Sequence, residues 1–203
     1  NNSLAILFLD LDLFKMINDT FGHSWGDELL KVVSERLLKI LREKDIIARV
    51  GGDEFLVLLE SPINESFVKR TAENILNSIR QPFKFNNNEM YITASIGISM
   101  YPQDGKDAET LIKNADIAMY KSKEEGKNRF QFCNQLMKNV IYEDMKLTNL
   151  LYQALEREEF ELHYQPQVDP NTGLIVGVEA LLRWNHSEIG TISPRYFIPI
   201  AER

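Results

Sequence analysis

Two stretches, LAILFLDLD (Leu4–Asp12) and IIARVGGDEFLVLL (Ile46–Leu59), decide the fold. Leu4–Leu9 is an uninterrupted apolar run of strand length, the pattern of a central strand covered on both faces. It ends in Asp10 and Asp12, which alternation puts on one face, with Leu11 on the other. Ile46–Val50 and Phe55–Leu59 are short apolar runs flanking Gly51-Gly52-Asp53-Glu54, a hairpin signal. If the strands pair, three or four carboxylates converge at one sheet edge. Buried carboxylates repel one another, and a hard divalent cation resolves the conflict because Mg²⁺ takes oxygen ligands. Gly51-Gly52 lets the backbone approach a large ligand with no side chain in the way. The combination suggests nucleotide phosphates and two-metal chemistry. The plainer alternative is an Asp capping a strand end and an ordinary Gly-Gly-Asp turn.

Working outward, Phe14–Phe21 reads as a short helix closed by Gly22. Ser24 is a good N-cap for an amphipathic helix over residues 25–42, with Leu29, Leu30, Val33, Leu37 and Leu41 at helical spacing. Ser66–Arg80 is a second such helix. Pro82–Phe85 and Met90–Met100 read as strands around Asn86-Asn87-Asn88. Asp107–Lys123 is a third long helix, ended near Gly126, and Arg129–Phe132 is a last short strand. The expected fold class is α+β, a sandwich with a mainly antiparallel sheet. Residues 134–158 then carry a long helical pattern (Leu136, Val140, Met145, Leu147, Leu150, Leu151, Leu155). Glu161–Val168 and Ile175–Trp184 read as strands around Asn171-Thr172-Gly173, and Pro194–Glu202 as a helix. The residues after Phe160 are too few to close a core of their own unless they dock on something else. This gives three segments: 1–133, a connecting helix over 134–158, and a second domain cut short over 159–203.

The composition narrows the function classes. The chain has 203 residues and a net charge of −7. Nothing in that balance offsets repulsion from a polyanion, so neither nucleic acid nor a membrane surface is an expected partner. A single nucleotide held through a metal remains compatible. One cysteine, Cys133, excludes an internal disulfide framework and fits a reducing, cytoplasmic compartment. No apolar run approaches the roughly 20 residues needed to cross a bilayer. The chain opens almost directly in a buried-strand pattern, so a segment upstream is expected.

FLDLDLFKMINDTFGHSWGDELL (Phe8–Leu30), ARVGGDEF (Ala48–Phe55) and ADIAMYKSKEEGKNRF (Ala115–Phe130) together resemble the GGDEF family of diguanylate cyclases, over nearly all of residues 3–132. The resemblance implies a palm-like nucleotide-cyclase fold. The implied reaction joins two GTP molecules into cyclic di-GMP with release of pyrophosphate, across a homodimer in which each protomer holds one GTP. It implies Mg²⁺ (or Mn²⁺) at Asp10 and Asp53, with the Leu11 carbonyl contributing. Glu54 is implied either as a metal ligand or as an aid to deprotonating the 3′-hydroxyl. Asn18 and Asp27 match the guanine-reading pair, and a carboxylate suits the guanine N1 and N2 donors. Lys15, Lys123 and Lys127 fall where phosphate-contacting cations belong, although each suits a solvated surface equally well. Gly51 and Gly52 would admit the phosphates. Arg42 and Asp45, in the form R-x-x-D, match an inhibitory site for the product, the alternative being an ordinary helix end. Lys127 stands where the family more often has Arg, and the family's opening helix and D-x-L-T-G-L-x-N-R segment are not in the sequence.

FELHYQPQVDPNTGLIVGVEALLRWNH (Phe160–His186) resembles the start of an EAL domain, the family that hydrolyses cyclic di-GMP. Glu179 matches a metal ligand there, and Gln165 and Arg183 match substrate-contacting positions. Only the opening part of that barrel is present, so the fragment alone is expected to be inactive and the parent to be a GGDEF–EAL tandem. Two rival readings stand beside the cyclase. One is a domain that binds GTP or cyclic di-GMP and regulates an EAL neighbour without making product. The other is a phosphodiesterase, with the full parent as the working unit.

Overall fold

A computed structural model of the chain describes residues 3–60, 63–85 and 88–202. It divides into two compact units, Asn1–Lys138 and Asn139–Arg203. Asn86 and Asn87 of the expected turn lie outside the described residues, as do the side chains of Asn88, Val140 and Met145.

The first unit is built on β1 (Leu4–Asp12). It lies between β3 (Glu54–Glu60) and β6 (Thr93–Tyr101), antiparallel to both. The hairpin partner β2 (Ile46–Gly51) and the short β7 (Phe130–Phe132) complete a sheet of order β2-β3-β1-β6-β7, in which only the β6–β7 pair is parallel. Every residue of β1 after Leu4 is buried, as a strand covered on both faces requires. Ala5, Leu7, Leu9 and Leu11 face a core shared with α2 (His23–Ile40) and α3 (Glu65–Ile79). Ile6 and Phe8 face the other way, onto Leu111, Ala115 and Met119 of α4 (Ala108–Glu124). Gly97 of β6 meets the α4 backbone directly: a Cβ there would lie 1.9 Å from the Ala115 carbonyl oxygen and 2.1 Å from the Met119 nitrogen.

The helix ends follow capping chemistry with one correction. Asn64 and Asp107 cap α3 and α4 by accepting from Phe67 N–H and Thr110 N–H. Ser24, expected as the cap of the long helix, lies inside α2. The helix starts at His23, and Gly22 (φ 88°) joins it to α1 (Phe14–Phe21) in a single residue. The Gly22 N–H closes α1 on the Asn18 carbonyl, and its own carbonyl accepts from Trp25 N–H. The expected strand Met90–Met100 is also two elements. β5 (Asn88–Met90) pairs with β4 (Phe83–Phe85), and β6 begins only at Thr93.

The division between the units falls within α5 (Gln135–Ala154), which ends four residues before the expected 158. Glu158 takes a left-handed φ of 53°, and the N–H of Glu159 returns to the Ala154 carbonyl. In the second unit β8 (Phe160–Val168) and β9 (Ile175–His186) form a long hairpin, extended by β10 (Gly190–Ile192) and followed by α6 (Pro194–Ala201). Ala154, Trp184, Ile192 and Phe197 form a small buried cluster. Trp184 packs edge-on against Phe197 at 5.3 Å and donates from Nε1 to Glu159 Oε2 at 3.0 Å. Along the rest of the hairpin Leu162, Tyr164, Val176 and Val178 are exposed. Among the described residues of this unit the strands form an open three-stranded sheet of order β10-β9-β8 and no closed barrel.

Candidate active site at the end of the central strand

The register of β1 with β3 sets Asp10 opposite Glu54. One residue further, Leu11 N–H donates to the Asp53 carbonyl at 3.3 Å, so the hairpin tip is tied to the end of the central strand. Asp10 is only 7% exposed, and its Oδ2 lies 2.6 Å from Lys123 Nζ on α4. Burial pushes the Asp10 carboxyl above its ordinary range. Lys123 opposes that shift without cancelling it, and the charges of Asp53 and Asp12 add to the push. The carboxylates of Asp10 and Asp53 thus lie near enough to act on each other, with Lys123 bridging Asp10. The donors there are carboxylates and backbone carbonyls, the set that suits Mg²⁺ or Mn²⁺, so the residues present fit such an ion. Among the described residues, no three carboxylate, imidazole or thiol side chains already converge as a ready metal-holding group.

Asp12 does not join that set, although the sequence places it on the same face. Its Oδ2 accepts from Thr93 Oγ1 at 2.6 Å and from Asn128 N–H at 3.2 Å, and its Oδ1 accepts from Ser95 Oγ at 2.8 Å. Three donors satisfy a buried carboxylate from within the protein. The expected convergence of three or four carboxylates is thus not formed: Asp53 acts on Asp10 through its charge, Glu54 stands opposite Asp10 in the register, and Asp12 is turned toward β6 and the loop after α4.

The surroundings are open where a nucleotide would need space. A Cβ on Gly51 or Gly52 would meet nothing within 4 Å, and Gly52 sits at φ 45° in the tip. Leu13, left-handed at φ 64°, starts α1 without any side-chain cap, so the first N–H groups of the helix stay available beside the strand end. Lys15 is exposed in the first turn of α1, and Lys127 is exposed in the loop after α4.

Asn18 lies against Gly26, the residue before Asp27. A Cβ on Gly26 would lie 2.0 Å from Asn18 Oδ1, so the glycine is what admits the amide. Asn18 Oδ1 is buried without a hydrogen-bond partner. A buried orphan acceptor is costly, and it suits a site whose donor comes from a ligand. Asp27, next to Gly26, is exposed.

Arg42 and Asp45 form a closed clamp instead of an open fork. Arg42 donates from Nε to Asp45 Oδ2 at 2.9 Å and from Nη2 to Asp45 Oδ1 at 2.6 Å, and Nη2 also reaches the Glu60 carbonyl at 2.8 Å. Its guanidinium lies over the Phe67 ring, 4.3 Å from the centroid. Asp45 accepts in addition from the N–H groups of Arg42 and Glu60. Burial would raise the Asp45 carboxyl, but the Arg42 side chain and these backbone donors hold it below its ordinary range.

In the second unit Gln165 stands directly opposite Glu179 across β8 and β9, and Arg183 opposite Glu161, so all three expected residues share one face of the hairpin. Gln165 and Glu179 are exposed. Sequence reasoning missed Thr93, Ser95, Asn128 and Arg80, which hold Asp12 and the loop that carries Lys127. The available signal was the polar Thr93 and Ser95 at alternate positions of β6. No helix among the described residues is long and apolar enough to cross a membrane.

Comparison with known proteins identifies the families of both units. Residues 1–129 match the family "Diguanylate cyclase, GGDEF domain", and residues 148–203 match "EAL domain". The chain is 45% identical over 199 residues to the bifunctional diguanylate cyclase/cyclic di-GMP phosphodiesterase MucR of Pseudomonas aeruginosa, covering 98% of this chain and 29% of MucR. It is 40% identical over 202 residues to the cyclic di-GMP phosphodiesterase PdeR of Escherichia coli, covering 100% of this chain and 30% of PdeR. The chain thus spans less than a third of either relative. An X-ray structure of an EAL/GGDEF domain protein from M. capsulatus superposes with a TM-score of 0.63 at 43% identity, covering 66% of this chain and 86% of that one.

Proposed function

The chain belongs to the GGDEF family, and from that premise we propose that its first unit condenses two GTP molecules into cyclic di-GMP, in a parent that also carries an EAL domain. The observation that carries the reading is the tie between the buried end of the central strand and the Gly-Gly hairpin tip: Asp10 stands opposite Glu54, and Leu11 N–H donates to the Asp53 carbonyl. A bound Mg²⁺ or Mn²⁺ would supply charge neutralisation for the phosphates and activation of the attacking hydroxyl. Asp10 and Asp53 would hold it, with the Leu11 carbonyl and Glu54 as further oxygen donors.

The other residues bind and orient. Asn18 and Asp27 read the guanine edge. The uncapped start of α1, Lys15, Lys123 and Lys127 meet the phosphates, and Gly51-Gly52 lets them approach the hairpin. Glu54 would alternatively take the proton of the 3′-hydroxyl. Each site holds one GTP, so turnover requires a second copy of the domain facing the first. Regulation by product at Arg42 and Asp45 would require their clamp to open. Gln165, Glu179 and Arg183 would act only in a complete EAL domain. The working compartment is the cytoplasm.

A second reading has specific support. Lys123 already engages Asp10, and PdeR, one of the relatives, is named a phosphodiesterase. On that reading the domain binds GTP and governs its EAL neighbour without making product. The test is product analysis after incubation with GTP and Mg²⁺, for the chain and for Asp53→Ala. Cyclic di-GMP from the unaltered chain and none from the variant supports the cyclase. GTP bound but never converted, in the chain and in its full-length parent, supports the regulatory domain.

A further inference from the structure

The loop after α4 places Lys127 and Asn128 consecutively in the left-handed region, at φ 61° and 53°. Cβ sterics disfavour that region for non-glycine residues. The sequence offers glycine one position earlier, at Gly126, yet the conformation persists at two residues with full side chains. It persists because the loop is held from three sides. Asn128 N–H donates to Asp12 Oδ2 at 3.2 Å. Arg80, at the C-terminal end of α3, donates from Nε to Asn128 Oδ1 at 2.7 Å and from Nη2 to the Asn128 carbonyl at 3.2 Å. Lys127 N–H returns to the Ser122 carbonyl at 3.0 Å. Asp12 is itself fixed by Thr93 and Ser95 on β6.

These contacts leave the Lys127 side chain outside the network, exposed on a loop whose backbone is held by hydrogen bonds to α3, α4 and Asp12. The geometry points to Asp12, Asn128 and Arg80 as positioning residues. We propose that this chain of hydrogen bonds presents Lys127 to the phosphates of a bound nucleotide, with Arg80 acting wholly through Asn128. The proposal rests on the reading of Lys127 as a phosphate contact and assigns a purpose to the carboxylate that takes no part in the metal set. A lysine offers a single flexible point of charge where an arginine would present a rigid fork. A tightly held backbone is one way to recover the lost geometry.

The experiment is a double-mutant cycle on GTP affinity in the full chain, using Arg80→Ala, Lys127→Ala and the pair, with Asn128→Gly as a companion. Glycine keeps the left-handed conformation accessible, so Asn128→Gly removes the side-chain contact without forcing the loop to refold. The expected result is that Arg80→Ala and Asn128→Gly each weaken GTP binding by about tenfold or somewhat less, the scale of one charge-assisted contact. Arg80→Ala should then cost nothing further once Lys127 is alanine. An undiminished Arg80→Ala effect in the Lys127→Ala background overturns the proposal, since Arg80 would then act by another route. Unchanged GTP affinity in Arg80→Ala overturns it as well, while leaving the nucleotide site intact. Failure of the unaltered chain to bind GTP at all overturns the functional reading itself, and this proposal with it.

Discussion

Replacing Asp45 with alanine tests whether the Arg42–Asp45 pair is a structural clamp. The Asp45 side chain is 1% exposed and Arg42 is 30% exposed. The carboxylate accepts four hydrogen bonds: two from the guanidinium and one each from the N–H groups of Arg42 and Glu60. Asp45→Ala strands both N–H groups, at about 1 kcal/mol each because water reaches them in part. It also removes the charge-assisted pair, at about 1 kcal/mol once solvent screening of the partly exposed Arg42 is allowed for. The sum is about 3 kcal/mol. Arg42→Ala leaves Asp45 with both backbone donors and should cost about half as much, mostly lost packing on Phe67. Hydrogen exchange of the β1 and β3 core amides reads this directly for the first unit, as a loss of roughly two decades of protection in Asp45→Ala. The folded-state value of Asp45 is depressed, so its contribution is complete above the ordinary carboxylate value of 3.8 and disappears only as pH falls through the lowered one. A cost below about 1 kcal/mol, or a larger cost for Arg42→Ala, would refute the clamp and favour a fork kept free for a ligand.

Two other outcomes follow from single contacts. Gly26→Ala puts a methyl 2.0 Å from Asn18 Oδ1 and should displace the amide; competition between GTP and ATP should show reduced preference for GTP, and unchanged selectivity would remove Asn18 from base reading. The Trp184 indole donates to Glu159 and holds its carboxyl below the ordinary value of 4.5. This stabilising contact is complete at neutral pH and is lost as pH falls through the lowered value. The indole N–H resonance of Trp184 should therefore move only below that ordinary value, and a midpoint at or above it would contradict the assignment.

The central strand and the Gly-Gly hairpin were legible because burial on two faces and turn chemistry leave local marks at Leu4–Leu9 and Gly51–Glu54. The distinction between Asp10 and Asp12 was not. The two residues share a face and a spacing, and Ser95 even stands opposite Asp10 in the register with β6; they are separated by side-chain contacts, the hydroxyls of Thr93 and Ser95 donating to Asp12 while Asp10 meets Lys123. Ser24 has the composition of a cap, but Gly22 can turn the chain in one residue and takes the position. The apolar character of Met90–Met100 hid a break at Tyr91-Ile92, because hydrophobicity does not report which partner strand each half chooses. The Arg42 clamp depends on Glu60 and Phe67, residues 18 and 25 positions away, and no local pattern announces them.

Gly97 has a consequence for which substitutions the domain can accept. α4 rests on β6 backbone to backbone, so the spacing between helix and sheet is set by a side chain that does not exist. Leu111, Ala115 and Met119 fill the remaining space against Ile6 and Phe8, and modest exchanges of volume among them can be absorbed without lifting the helix. Lys123, one turn beyond Met119, thereby keeps its distance to Asp10 through drift in the surrounding core. Any side chain at position 97 would act as a wedge, and its effect would be felt at the far end of α4, where the charge of the site is balanced.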